Sequence, residues 1–140
     1  MRSTQIVIVE DSDEDFDTVQ DAARRSSMLH PLVRAHTGAE CLRLLRGGDS
    51  GRDAHTLLVL LDLNTPSDDG RDVLLERRRD DTISALPVVV LSASASARDL
   101  QFCYANGANA YHVKPVDHVL HLRVLRDIFS YWLGSVILPA

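Results

Sequence analysis

Five residues along this chain are of types that together could handle a phosphoryl group: Glu10, Asp11, Asp62, Ser92 and Lys114. The acidic pair Glu10-Asp11 and the residues Asp62, Ser92 and Lys114 each directly follow a short apolar run. Three carboxylates at the ends of buried segments repel one another and lose hydration, which raises their pKa values unless a cation sits among them. Mg²⁺ suits that need, because it takes oxygen ligands octahedrally, keeps several waters and requires only one or two carboxylates. Asp62 is the candidate nucleophile. Lys114 would add a positive charge across the pocket, and Ser92 a hydroxyl donor. A carboxylate, a metal and a lysine suffice for an acyl phosphate, where catalysis is mostly positioning and charge stabilisation.

Taken singly, each residue has an ordinary structural use. An acidic pair after a strand commonly starts a helix, an Asp before Pro and Gly is a turn residue, and Lys-Pro is a turn. Their joint placement is what argues for chemistry.

The elements that must position them alternate regularly. Gln5–Val9 reads as a strand buried on both faces. Ser12 to Asp15 reads as a helix start, with Ser12 as N-cap and acidic residues in the first turn. Pro31 precedes a second strand, Leu32–His36, and Thr37 caps a second helix ended by Gly47-Gly48. Thr56–Leu61 is the third strand, followed by a turn-rich stretch over Asn64–Gly70 and a helix over Arg71–Arg79. Pro87–Leu91, Ala97–Asn106, Ala110–Val113 and Val116–Phe129 complete the series, with Gly107 stopping the fourth helix. Five strand–helix units imply an α/β fold: a doubly wound parallel sheet with helices on both faces. Function then gathers at the carboxyl ends of the strands, where the five residues stand.

Composition agrees with one soluble globular domain: 140 residues, 45% apolar and 25% charged. No apolar run approaches the roughly 18 residues of a membrane span, and the N-terminus lacks a secretory pattern, so the cytoplasm is the expected location. The net charge of -5 argues against a nucleic-acid binder, and Arg77-Arg78-Arg79 reads as the solvated end of a helix. Cys41 and Cys103, far apart and outside any metal spacing, read as buried reduced thiols. His118 and His121, three apart, read as surface or interface residues. Neither a dinucleotide-binding nor a P-loop glycine pattern is present.

The motifs Ile6-Val7-Ile8-Val9-Glu10-Asp11, Leu60-Leu61-Asp62-Leu63-Asn64-Thr65-Pro66 to Asp69-Gly70, Pro87 to Ser92-Ala93, and Gly107-Ala108 with Tyr111 to Lys114-Pro115 go further. Through them the chain resembles the receiver domains of two-component response regulators, from about Gln5 to Phe129. The resemblance implies a flavodoxin-like sheet of order 2-1-3-4-5 and phosphorylation of Asp62 by a sensor histidine kinase. Glu10, Asp11, Asp62 and the backbone carbonyl of Asn64 would bind Mg²⁺. Lys114 and Ser92 would contact the phosphoryl oxygens. Tyr111 would change rotamer with Ser92 on activation, and Lys114-Pro115 is expected to be cis. Asn64 and Ser94 stand where hydrolysis of the acyl phosphate is tuned, Asn64 by orienting the attacking water. Thr65 and Asp68 depart from the usual aliphatic residues of that loop. Enzymatic activity would be limited to Mg²⁺-dependent self-phosphorylation from a donor and slow self-dephosphorylation.

Residues 1–130 form the expected receiver domain, with no effector domain expected to follow. Residues 131–140 form an apolar extension, with Tyr131, Trp132, Leu133, Val136, Ile137 and Leu138 suited to an interface. The extension, Leu61 to Asn64 and Gly70 to Leu74 are similar to small regulators that partner phytochrome-type histidine kinases. Those are often homodimers joined through the C-terminal part. The expected function is phosphorylation-gated protein interaction, without nucleic acid or membrane as partner. A phosphorelay intermediate serving a histidine phosphotransfer protein is the alternative, and a degenerate scaffold is the third reading.

Overall fold

The computed structural model describes residues 3–47, 54–63 and 69–139. Strands and helices alternate in order: β1 (Ser3–Val9), α1 (Asp13–Arg25), β2 (Leu32–Ala35), α2 (Gly38–Leu45), β3 (Ala54–Asp62), α3 (Asp69–Arg79), β4 (Val88–Ser92), α4 (Ala97–Ala105), β5 (Ala110–Val113) and α5 (His118–Ser130). A π-helical turn, Tyr131–Ser135, continues α5. The five strands are parallel in the order β2-β1-β3-β4-β5.

Side-chain alternation sorts the strands between two cores. Ile6, Ile8, Leu58, Leu60, Val89 and Leu91 meet Val19 and Ala22 of α1 and Leu125, Ile128 and Phe129 of α5. Val7, Val9, Val59, Leu61, Val88 and Val90 meet Cys41 of α2, Val73 and Leu74 of α3, and Cys103 of α4. Burial on both faces explains the unbroken apolar runs of β1, β3 and β4. Both thiols are buried, as their setting predicts.

Side chains cap α1 and α2 at the residues the sequence indicates. Ser12 Oγ accepts the Asp15 amide at 3.2 Å, and Thr37 Oγ1 the Glu40 amide at 3.1 Å. Ser96 and Asp117 do the same for α4 and α5, so α5 begins two residues after Val116. Gly107 has φ +95°, the left-handed turn that lets the chain leave α4 for β5.

Three expectations are corrected. Arg77 is not solvated: it is 5% exposed, and its guanidinium donates to the carbonyls of Leu86 (2.6 Å) and Gly107 (3.1 Å) and to Asn109 Oδ1 (3.3 Å). The planar fork matches three acceptors that meet only when α3 packs beside the loops leading into β4 and β5. Arg78 and Arg79 are the exposed members of the run. His121 is buried because it lies one helical turn before the core residue Leu125, whereas His118 is exposed. The Lys114–Pro115 bond is trans, the isomer that X–Pro bonds ordinarily favour by about 0.5–1 kcal/mol.

The C-terminal extension partly folds back. Trp132 and Leu133 pack on the α1–α5 core, with Tyr131 edge-on to Trp132 at 5.3 Å between ring centres. Pro139 lines a small pocket with His55, Thr56, Ile83 and Pro87 at the amino ends of β3 and β4. Tyr131 and Ile137 remain exposed. No helix among the described residues is long and apolar enough to cross a membrane.

Candidate phosphoryl-transfer site

Strand register assembles the site. Val9 lies beside Leu61, Asp62 beside Leu91, and Ser92 beside Val113. Glu10, Asp62, Ser92 and Lys114 are therefore brought to one carboxyl edge by three strand pairings between segments distant in sequence. Backbone bonds extend the ladder past the strands, from the Lys114 amide to the Ser92 carbonyl at 2.6 Å and from the Glu10 amide to the Ala35 carbonyl at 2.9 Å.

Glu10, Asp62 and Ser92 are at most 4% exposed. The Lys114 ammonium donates to Asp62 Oδ2 through a short contact, to Asp15 Oδ2 at 2.7 Å and to Glu10 Oε1 at 3.5 Å. Burial would lower the Lys114 pKa, but hydrogen bonds to Asp15 and Asp62 and the charges of Asp62 and Glu10 outweigh it and leave it raised. Glu10 is pushed up to about 9, first by burial, then by its hydrogen bond to Asp62 and that carboxylate's charge; Lys114 and the Ser12 amide offset this only in part. The acidic side of the pocket thus has less positive charge than it needs.

Glu10, Asp15 and Asp62 each place an oxygen within 4.8 Å of the others. Hard carboxylate oxygens at that spacing, one of them with a strongly raised pKa, suit a small divalent cation. Asp11 is exposed and lies outside this trio. Asn64, its carbonyl included, falls outside the described residues, as do Thr65 and Asp68.

The other predicted residues form a chain leading away from Ser92. The Ser94 amide donates to Ser92 Oγ at 3.1 Å, and the Tyr111 hydroxyl donates to the Ser94 carbonyl at 2.7 Å. Ser94 Oγ accepts the Ser96 amide at 3.2 Å, so the β4–α4 loop is tied both to the pocket and to β5.

Sequence reasoning missed two residues of this site. Asp15 reads locally as part of a helix cap, and only the tertiary contact with Lys114 gives it a second role. Arg34, at the end of β2, donates to the Glu10 carbonyl (2.9 Å) and to Asp13 Oδ1 (2.8 Å), fastening the acidic β1–α1 loop. Its guanidinium also lies over the Phe16 ring at 4.9 Å. A lone Arg in a short half-buried strand offered no signal.

A sequence-family profile described as the response regulator receiver domain matches residues 6–125. Response regulator Rcp1 of Synechocystis sp. is 34% identical over 136 residues, spanning 96% of this chain and 92% of that protein. The crystal structure of the phosphorylated cyanobacterial phytochrome response regulator RcpA superposes with a TM-score of 0.91 at 34% identity, over 99% of each chain. The Mn²⁺-bound form of Rcp1 gives a TM-score of 0.89 at 33% identity, over 97% of this chain and 99% of that one.

Proposed function

This chain belongs to the response regulator receiver domain family, and from that premise we propose that Asp62 is the acceptor of a phosphoryl group delivered by a sensor histidine kinase. The observation that carries the assignment is the Lys114 ammonium, bonded at once to Asp62 and to two further carboxylates at the sheet edge. One Asp62 carboxylate oxygen attacks phosphorus as the bond to the donor breaks, and the leaving group departs with its electron pair. Lys114 holds its positive charge beside the developing charge on the phosphoryl oxygens. The Ser92 hydroxyl supplies a donor to one of them.

Glu10, Asp11, Asp62 and the Asn64 carbonyl are the residues assigned to Mg²⁺, which when bound supplies charge neutralisation to the phosphoryl oxygens. The Mn²⁺-bound form of the relative Rcp1 supports a divalent ion as the cofactor. Asn64 and Ser94 are assigned to setting the acyl phosphate's lifetime. Phosphorylation is read out through Ser92, Ser94 and Tyr111, whose hydrogen bonds tie the pocket to the β4–α4 loop and β5.

The kinase we propose is of the phytochrome type, because the relative RcpA is a cyanobacterial phytochrome response regulator. The same likeness favours a phosphorylation-gated interaction module over a phosphorelay intermediate. Residues 1–130 form the receiver unit in this reading, and residues 131–140 contribute exposed Tyr131 and Ile137 to a homodimer contact. The expected compartment is the cytoplasm.

The test is incubation with Mg²⁺ and acetyl phosphate, followed by intact-mass detection of an acid-stable, base-labile adduct. Asp62→Asn must abolish it. A folded wild-type chain that stays unmodified with donor in excess would favour a scaffold instead.

A further inference from the structure

Asp15 is the third residue of α1, and its surroundings depart from an ordinary helix cap. In a reciprocal cap, the acidic side chain at this position turns back onto the amide of the N-cap residue. Here only half of that exchange forms: Ser12 Oγ accepts the Asp15 amide, while the Ser12 amide donates to Glu10 Oε2 at 3.3 Å. Glu10 has taken the place that Asp15 would fill. The Asp15 carboxylate turns instead to Lys114 at 2.7 Å, which is its one side-chain hydrogen-bond partner among the described residues.

An ammonium has three N–H donors, and Asp62, Asp15 and Glu10 face them here. His121 of α5 faces the charges of Asp15, Lys114 and Asp62 from within the domain; it is 5% exposed, and its Nε2 has no hydrogen-bond partner among the described residues. No hydrogen bond joins it to Asp15, although the Asp15 charge acts on its ring.

We propose that Asp15 is a positioning residue for phosphoryl transfer, tethering the Lys114 ammonium beside Asp62 before and after the phosphoryl group arrives. The inference rests on the Asp62 reading above. When an Asp62 oxygen bonds to phosphorus, that carboxylate loses its full charge, and the ammonium has to pass from the Asp62 oxygen to a phosphoryl oxygen. A flexible four-carbon side chain makes that exchange loosely unless a second anion fixes it. The Asp15 carboxylate takes no part in the new bond to phosphorus and keeps the ammonium at the pocket wall, with the other N–H donors of Lys114 already directed inward. Donors fixed in advance need no reorganisation as charge develops on the phosphoryl oxygens. In the reaction with acetyl phosphate, an Asp62 oxygen–phosphorus bond forms, the acetyl oxygen–phosphorus bond breaks, and acetate leaves with the electron pair. Asp15 and Lys114 exchange no proton.

The rival role for Asp15 is metal ligation, since its oxygen lies within 4.8 Å of those of Glu10 and Asp62. The full chain distinguishes the two, with adduct formation from acetyl phosphate followed at saturating Mg²⁺ and Mg²⁺ affinity measured separately by calorimetry. With a tether, Asp15→Asn slows adduct formation about tenfold and leaves Mg²⁺ affinity within about twofold. In a Lys114→Met background, the same substitution changes the rate by less than about twofold, because nothing remains to tether. Asp15→Ser, also suited to a first helical turn, repeats the measurement should Asn disturb the fold. An unchanged rate, a fall in Mg²⁺ affinity matching the fall in rate, or an equal slowing without Lys114 each overturns the tether while leaving Asp62 as acceptor. A wild-type chain that forms no adduct overturns both assignments together.

Discussion

The Tyr111 hydroxyl donates to the carbonyl oxygen of Ser94 at 2.7 Å. Ser94 in turn reaches Ser92 Oγ through its amide, so a half-buried aromatic on β5 is two hydrogen bonds from the phosphoryl pocket. Tyr111→Phe removes one hydrogen bond and keeps the ring. The expected loss is about 1 kcal/mol in urea unfolding, with no change in m-value. If this path reports phosphorylation, the near-ultraviolet circular dichroism change on adding beryllofluoride and Mg²⁺ will shrink in the variant while Mg²⁺ affinity stays constant. An undiminished change would show that the signal leaves by another route.

Arg77 and Gly107 form a structural pair remote from the pocket. Arg77→Ala strands the Leu86 and Gly107 carbonyls and leaves Asn109 Oδ1 with only the Val88 amide, and should cost about 2–4 kcal/mol in chemical denaturation. Gly107→Ala meets two obstacles: a φ of +95°, and a β-carbon 2.9 Å from Arg77 Nη1. Both variants should lower the denaturation midpoint, and the double variant should cost less than the sum of the singles, because they share a contact.

Glu10 makes metal-free stability depend on pH. Its folded pKa, about 9, lies above the ordinary 4.5, so the folded state binds the extra proton. That contribution is complete below pH 4.5 and is lost as pH rises toward about 9. Melting temperature in EDTA should therefore fall across this window, and Glu10→Gln should flatten the fall. Adding Mg²⁺ should restore stability most at the alkaline end, since the ion replaces the proton. Apparent Mg²⁺ affinity should rise with pH by at most about tenfold per unit. A wild-type melting curve in EDTA that climbs steadily from pH 5 to 9 would contradict the shift.

Both cysteines should be inert in the native protein. Burial first, and then the charge of Glu40, push the Cys41 thiol up to about 12, and burial likewise raises Cys103. Labelling by a thiol-specific disulfide reagent at pH 8 should proceed at the rate of unfolding and become fast in denaturant. Rapid native labelling of either thiol would show that its helix opens locally.

Much of this was legible from local pattern. Buried parallel strands must be apolar throughout, so β1, β3 and β4 are visible as runs, the half-buried β5 shows only between Gly107 and Pro115, and Ser12, Thr37 and Gly107 mark helix ends by their own chemistry. The residue directly after each run is then necessarily at a carboxyl edge. That is why Glu10, Asp62, Ser92 and Lys114 could be named together. The Arg77–Arg79 run misled, because a charge on the last turn of a helix reads the same whether water or three oxygens from other loops surround it. His121 misled for the same reason: its burial depends on α5 packing against α1, and a histidine three residues from another carries no record of that.

The amino-acid sequence by itself determined the order of elements, the ends of the strands and the chemical types gathered there, since each follows from contacts between near neighbours. Only the tertiary structure decided which acid meets the lysine. Asp11 follows Glu10 directly yet is exposed, whereas Asp15 turns its carboxylate to Lys114, 99 positions along the chain. A helical turn sets where Asp15 stands, but its partner directly follows β5, and that meeting exists only once the sheet has closed in register. Long-range pairing has no signature in either segment alone.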